Sequence, residues 1–204
     1  MKSKGKIAGI STTILVAFLI LTVSVLKSAS VKYAYSPLVL GEKVEIKKAL
    51  TVDYVLAYPG SIHPDNPLWY AKVLRDKVWY IMTFDTTKKI ELNLLFADKR
   101  LNSSLELFKK SKPDLGYITL TKSQKYLEKS MPGSEFDSEY MKKVATASLK
   151  HREVIESEIL PLTPEDLRPG VIKNEDYSKE IYKKTRDLMI SKGLVPPDNI
   201  FESN

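Results

Sequence analysis

The sequence predicts an all-α protein: an antiparallel helical bundle of about four to five helices behind a single N-terminal transmembrane helix. Three observations carry that prediction. Apolar residues recur three and four apart through residues 68–192, with no sustained alternation of the strand kind. Aspartates and Lys-Pro or Pro-Gly pairs punctuate this run where helices would begin and end. An uncharged segment of 20 residues, Ile7 to Leu26, comes before all of it. At about 1.5 Å per residue that segment matches a hydrocarbon core of about 30 Å.

The elements follow in chain order. Lys2, Lys4 and Lys6 precede the apolar run and Lys27 closes it. The run exceeds the ~7–15 residues of a signal-peptide core, and no clear A-x-A follows. Residues 1–30 are therefore read as a cytoplasmic stub and uncleaved anchor, with a cleaved signal peptide as the alternative. The lysines ahead of the span favour a cytoplasmic N-terminus, which makes this a single-pass cell-membrane protein with residues 31–204 extracytoplasmic. Residues 31–67 read as a tether and a proline-rich elbow, where Pro59, Gly60, Pro64 and Pro67 exclude helix. Pro67 also suits the start of a first helix. Ala71, Leu74, Val78, Ile81 and Met82 are its predicted buried stripe, widened by Trp69, Val73 and Tyr80.

Asp85 is the predicted N-cap of a second helix, whose seam is Ile90, Leu94, Ala97, Leu101, Leu105 and Phe108. Lys112-Pro113 ends it. Asp114 is the predicted cap of a third helix carrying Tyr117, Leu120, Gln124, Leu127 and Met131, and Pro132-Gly133 stops that one. Asp137 should cap a fourth, with Tyr140, Val144, Ala147, His151, Val154 or Ile155, and Ile159 on its face before Pro161. The short connections make these neighbours antiparallel, and residues 68–160 form the predicted bundle. Residues 161–204 read as a C-terminal extension. Thr163-Pro164 opens a turn that Pro169-Gly170 closes, and a last helix from about Asn174 to Lys192 presents Tyr177, Ile181 and Leu188. Gly193 is its predicted C-cap, and residues 194–204 are a loose tail.

Composition narrows the function. The 204 residues include no cysteine, which excludes disulfides, thiolate metal sites and a cysteine nucleophile. Four of the 32 Lys and Arg lie in residues 1–30, which hold no acid, so the remainder carries 28 bases against 25 acids. A net +3 is not the concentrated basic stripe of a nucleic-acid reader, and no nucleic-acid partner is expected. Phosphate-cradle, nucleophile-elbow and H-E-x-x-H patterns are all missing. The expectation is no enzyme, with no catalytic, cofactor-binding or metal-ligating residues and no cofactor.

The stretches "DYVLAYPG…PDNPLWYAKVLRDKV", "FDTTKKIELNLLFADKRLNSSLELFKK" and "ATASLKHREVIESEI" resemble a bacterial family known as Domain of Unknown Function 5667. The resemblance rests on Tyr58, Pro59 and Gly60, on Pro67, Leu68 and Trp69 or Tyr70, and on Ala97, Asp98, Lys99, Arg100 and Leu101. It spans roughly residues 53–160. The family often has proline after the capping aspartate, where this chain has Thr86. The resemblance implies an N-terminally anchored, mostly helical extracytoplasmic domain. It implies no catalytic residue.

Several residues call for a reading of their own. His63 has no nearby ligand set and reads as a turn residue. His151 lies on the fourth seam and should be hydrogen-bonded there. Glu153 and Glu156 share a helix face as a solvated pair, and Asn102-Ser103-Ser104 is a sequon inside a predicted helix. Tyr54, Tyr58, Trp69, Tyr70, Trp79, Tyr80 and Phe84 cluster within about thirty residues. One reading has these rings plug the elbow against the bundle; in the other, Tyr58, Trp69, Tyr70, Trp79 and Tyr80 make a candidate interaction patch. Lys88, Lys89, Lys99, Arg100, Lys109 and Lys110 make a candidate basic surface. The expected function is a scaffold or protein-interaction module, held in the membrane by residues 7–26 and bound to an envelope protein. The alternatives are a sensory ectodomain for an envelope ligand and a binder of anionic wall polymer or lipid.

Overall fold

A computed structural model describes residues 51–202. The apolar run at residues 7–26 and most of the tether lie outside the described residues. Among those described there are five α-helices and no strand. They are α1 (Trp69–Met82), α2 (Thr86–Lys109), α3 (Pro113–Lys129), α4 (Ser138–Val154) and α5 (Arg168–Ser191). No helix among them is long and apolar enough to cross a membrane.

Local chemistry sets most of the ends. Asp85 caps α2, accepting from the Thr87 and Lys88 amides, and Asp137 caps α4, accepting from Tyr140 N. Between α2 and α3 the chain reverses through Ser111 at φ 55° and Pro113. Gly193, at φ 70°, follows α5, and the Leu194 amide reaches back to Met189 O, as a left-handed C-terminal stop requires. Ahead of Pro161 the α4 ladder opens into a π turn (Ile155–Ile159) and then a 3-10 turn (Leu160–Leu162). Proline has no N–H and its ring crowds the carbonyl four residues back, so the regular ladder cannot pass through it.

Helices α2 to α5 form an up-down-up-down bundle. The closest pairings are α2 with α3 and α4 with α5, while α3 also meets α5. Its core has two parts. One gathers Leu94, Ala97, Leu127, Val144, Ala147 and Ile181. The other gathers Leu101, Leu105, Leu120, Val154, Ile155 and Val171. The seams expected on α2, α3 and α4 supply nearly all of these residues.

Five expectations need correction. Asp114 does not cap α3; Lys112 holds that position without a side-chain bond, and Pro113 opens the helix. Helix α5 begins at Arg168, with Pro169 in its first turn, so Pro169-Gly170 starts this helix instead of ending a turn. Gly170 fits there because its missing Cβ would lie 2.7 Å from the Tyr117 ring. The face that α5 buries is Val171, Asn174, Ser178, Ile181, Thr185 and Met189, while Tyr177 is exposed. Residues 194–202 do not trail away: Leu194, Ile200 and Phe201 pack on the first core, and Tyr182 Oη donates to Pro197 O at 2.8 Å. The fifth correction concerns α1 and bears on the site.

Candidate interaction surface and the polar layer behind it

The elbow is tied to the bundle by its backbone. Val52 is buried, and its amide donates to Glu153 Oε2 at 2.7 Å. Asn102 Nδ2 donates to Ala57 O at 3.1 Å, so the amide of the sequon is already engaged. Lys72 Nζ donates to Pro59 O and, at 3.0 Å, to Ile62 O, while lying 4.7 Å from the Trp69 ring. The prolines hold residues 59–67 out of helix, and Lys72 then latches that loop to α1.

The predicted stripe of α1 points the other way. Leu74, Ile81 and Met82 are exposed, as is Ala71, and only Val78 is half-buried. The face turned inward is Trp69, Lys72, Val73, Asp76, Trp79 and Tyr80, with Asp76 its one buried residue. Trp79 meets Phe96 of α2 edge to face at 6.2 Å, and Lys89 of α2 lies 5.7 Å from the Tyr80 ring. The candidate aromatic patch is therefore divided. Trp69, Trp79 and Tyr80 are half-buried in the seam, whereas Tyr58 (76%), Tyr70 (80%) and Phe84 (90%) stand in solvent. Val55, Leu68, Leu74 and Ile81 extend that outward apolar strip. A strip of this kind marks a docking surface more often than an accident of composition.

The candidate basic surface does not form one patch. Lys88 and Lys109 lie about 30 Å apart along α2 at the usual helical rise. Lys109 pairs with Glu106 and Glu158, and Lys110 with Asp65, which also takes Lys112. Lys99 is half-buried and Arg100 is only 7% exposed. Arg100 stacks 4.3 Å from the Tyr126 ring and 5.6 Å from that of Phe96. Together with Lys72 and Arg75 these two cations surround one buried carboxylate, Asp76, which accepts from Arg75 Nη2 at 2.6 Å. Burial, with Lys99, Arg75 and Arg100 nearby, pushes the Lys72 ammonium down to about 8 against the opposing pull of Asp76. Burial also lowers Lys99.

Behind this surface a polar layer crosses the bundle between its two cores. Tyr54 Oη donates to Asp98 Oδ2 at 2.9 Å, and Asp98 Oδ1 lies 3.0 Å from His151 Nε2. His151 Nδ1 lies 3.3 Å from Gln124 Nε2, and Ser178 Oγ donates to Gln124 Oε1 at 2.9 Å. One orientation satisfies every link: His151 gives its Nε2–H to Asp98 and accepts at Nδ1 from Gln124, whose carbonyl takes the Ser178 hydroxyl. The chain thus joins the elbow, α2, α4, α3 and α5. His151, Ser178, Gln124 and Asp98 are all buried. The sequence placed His151 and Gln124 on their seams, and the hydrogen bonding expected of His151 is present. Asp98 and Ser178 carried no periodic signal, because each is a polar residue beside an apolar stripe.

The remaining candidates are occupied separately. Glu153 takes Val52 N and Lys150, and Glu156 pairs with Arg152, so the two carboxylates do not work on a common group. His63 is buried with Nδ1 unpartnered, and burial and the nearby Lys110 and Lys72 lower its pKa. Among the described residues no three of His, Asp and Glu gather as a metal-ligand set. A groove of about 420 Å³ lies between α4, α5 and the C-terminal segment, bounded by Arg152, Lys183, Arg186 and Asn199.

A family model described as "Domain of unknown function" (DUF5667) matches residues 61–163, which run from the elbow through α4 and the two turns that follow it. No curated protein and no solved structure matches the chain.

Proposed function

The chain belongs to the DUF5667 family of unknown function, and from that premise we propose that it is a membrane-anchored, extracytoplasmic helical module with a binding role and no catalysis. In this reading residues 7–26 hold it in the cell membrane, and the outward strip of α1 and the elbow docks an envelope protein. The observation that supports docking is the exposure of Tyr58, Tyr70, Leu74, Ile81 and Phe84 on one short segment beside a well-packed bundle. Burying a side chain of that size gains about 1.5–3 kcal/mol, and leaving several outside the core is a loss that binding recovers. The buried polar layer supports the same reading. Its polar groups are engaged with one another and stand ready for no reaction.

The test uses the full chain in its native membranes, with a photo-activated crosslinker placed at Tyr70, Leu74 or Ile81 and, as a control, at exposed Lys143 on α4. A discrete protein adduct from the α1 positions, absent from the Lys143 position and lost in Leu74→Asp, is the expected result. Equal adducts from both faces, or lipid adducts alone, would refute it.

A further inference from the structure

The seam under α1 contains an electrostatic imbalance that the docking strip leaves unexplained. Lys72, Arg75, Lys99 and Arg100 converge there on a single carboxylate, Asp76. Asp76 is bound by the Arg75 fork. Lys72 spends two protons on the carbonyls of Pro59 and Ile62. Lys99 and Arg100 have no hydrogen-bond acceptor and no ion-pair partner among the described residues, although Arg100 is more than nine-tenths buried. The faces of Tyr126 and Phe96 offset part of that burial through the ring quadrupole. They supply no acceptor for the guanidinium N–H groups. Buried cations that outnumber their counter-charges are costly and are rarely retained unpaired.

We propose that this seam is an oxyanion site, in which Lys72, Lys99 and Arg100, with Arg75 at its edge, receive a phosphate-type group, either free or carried on a lipid headgroup. Arg100 presents a planar fork suited to two oxygens of such a group, and the two ammonium groups add point charge. The half-buried rings of Trp69 and Tyr126 flank Lys72 and Arg100, and their apolar faces raise the value of each contact. Burial first, and then the nearby Lys99, Arg75 and Arg100, push the Lys72 ammonium down to about 8 against the pull of Asp76, so an anion received beside it would raise it. The site stands whether or not the α1 strip docks a protein.

The experiment follows the Lys72 ammonium by NMR in the full chain. In neutral detergent, inorganic phosphate is added. In nanodiscs, phosphatidylcholine is compared with phosphatidylglycerol. On saturation Lys72 should rise from about 8 toward the ordinary 10.5, with exposed Lys88 as the reference for general surface potential. A rise with inorganic phosphate marks a free anion, and a rise in phosphatidylglycerol discs without added phosphate marks a headgroup. Lys99→Gln and Arg100→Gln should each weaken phosphate binding by roughly tenfold or more, the scale of one charge-assisted contact, while Lys88→Gln leaves it unchanged. Arg100→Lys should restore part of the loss. If Arg100→Gln fails to fold, the half-buried Lys99 position still decides. No saturable response to either probe, or an equal loss in Lys88→Gln and Lys99→Gln, overturns the proposal.

Discussion

At the scale of single residues the side chain with most at stake is Asp98. It is 3% exposed and accepts from Tyr54 and His151. Removing it leaves the buried His151 Nε2–H without its acceptor and takes a hydrogen bond from the half-buried Tyr54 hydroxyl. Asp98→Ala should therefore cost about 2–4 kcal/mol in urea unfolding. Exposed Ser157→Ala should stay within about 0.5 kcal/mol. Gly116 is constrained in another way. A Cβ there would lie 2.8 Å from the Phe108 ring, which the α2–α3 contact holds in place, and the Gly116 carbonyl accepts from buried Ser104. Gly116→Ala should destabilise by about 1–3 kcal/mol through overpacking, despite the better helix propensity of alanine. Lys72 gives a pH signature. Its folded value lies near 8 against 10.5 in an unfolded chain, so between those values the unfolded state holds the extra proton. Stability should then rise with pH from about 8 to 10.5. Lys72→Met should flatten that rise, as pH-dependent unfolding at fixed ionic strength would report.

At the scale of elements, α1 is the exception. Its apolar residues at 71, 74, 78 and 81 have helical spacing, and spacing alone assigns them to the core. Periodicity identifies a stripe without saying which face meets the bundle. Here the inward face includes Lys72 and Asp76, which serve the elbow and the cation seam. Contact with the bundle reduces largely to Trp79 on Phe96 and Lys89 by Tyr80. Amides of α1 should consequently exchange with deuterium much faster than those of α2 and α3, through local opening well below the global free energy. Uniform protection across the three helices would contradict that. Leu74→Asp should change stability by less than about 0.5 kcal/mol, since the side chain is 56% exposed. The same substitution is the one expected to abolish docking, which separates binding from folding.

For the whole molecule, α5 and the segment after it complete the bundle. Ile181 and Met189 enter the first core and Val171 the second, and Ser178 closes the polar layer. The chain then turns at Gly193 and lays Phe201 on the Arg152 guanidinium, 3.9 Å from the ring centroid. Truncation after Gly193 removes that stacking together with the packing of Leu194 and Ile200. A loss of about 2 kcal/mol, or roughly 4–8 °C in Tm, is expected from thermal unfolding with α-helix content nearly retained. The family match ends at residue 163, ahead of α5, yet the packing of α3 and α4 depends on that helix.

By itself the sequence determined the all-helical class, the seams of α2, α3 and α4, the caps at Asp85 and Asp137, the stop at Gly193 and the family resemblance. These rest on local signals: a 3.6-residue period, a capping carboxylate and a residue that tolerates positive φ. Tertiary structure alone decided the rest. The outward turn of α1, the link from Asp98 through His151 and Gln124 to Ser178, the gathering of four cations on Asp76 and the return of Phe201 all join residues far apart in the chain. Such pairings leave no periodic trace, because one polar residue beside an apolar stripe reads as surface until the helix opposite it is in place.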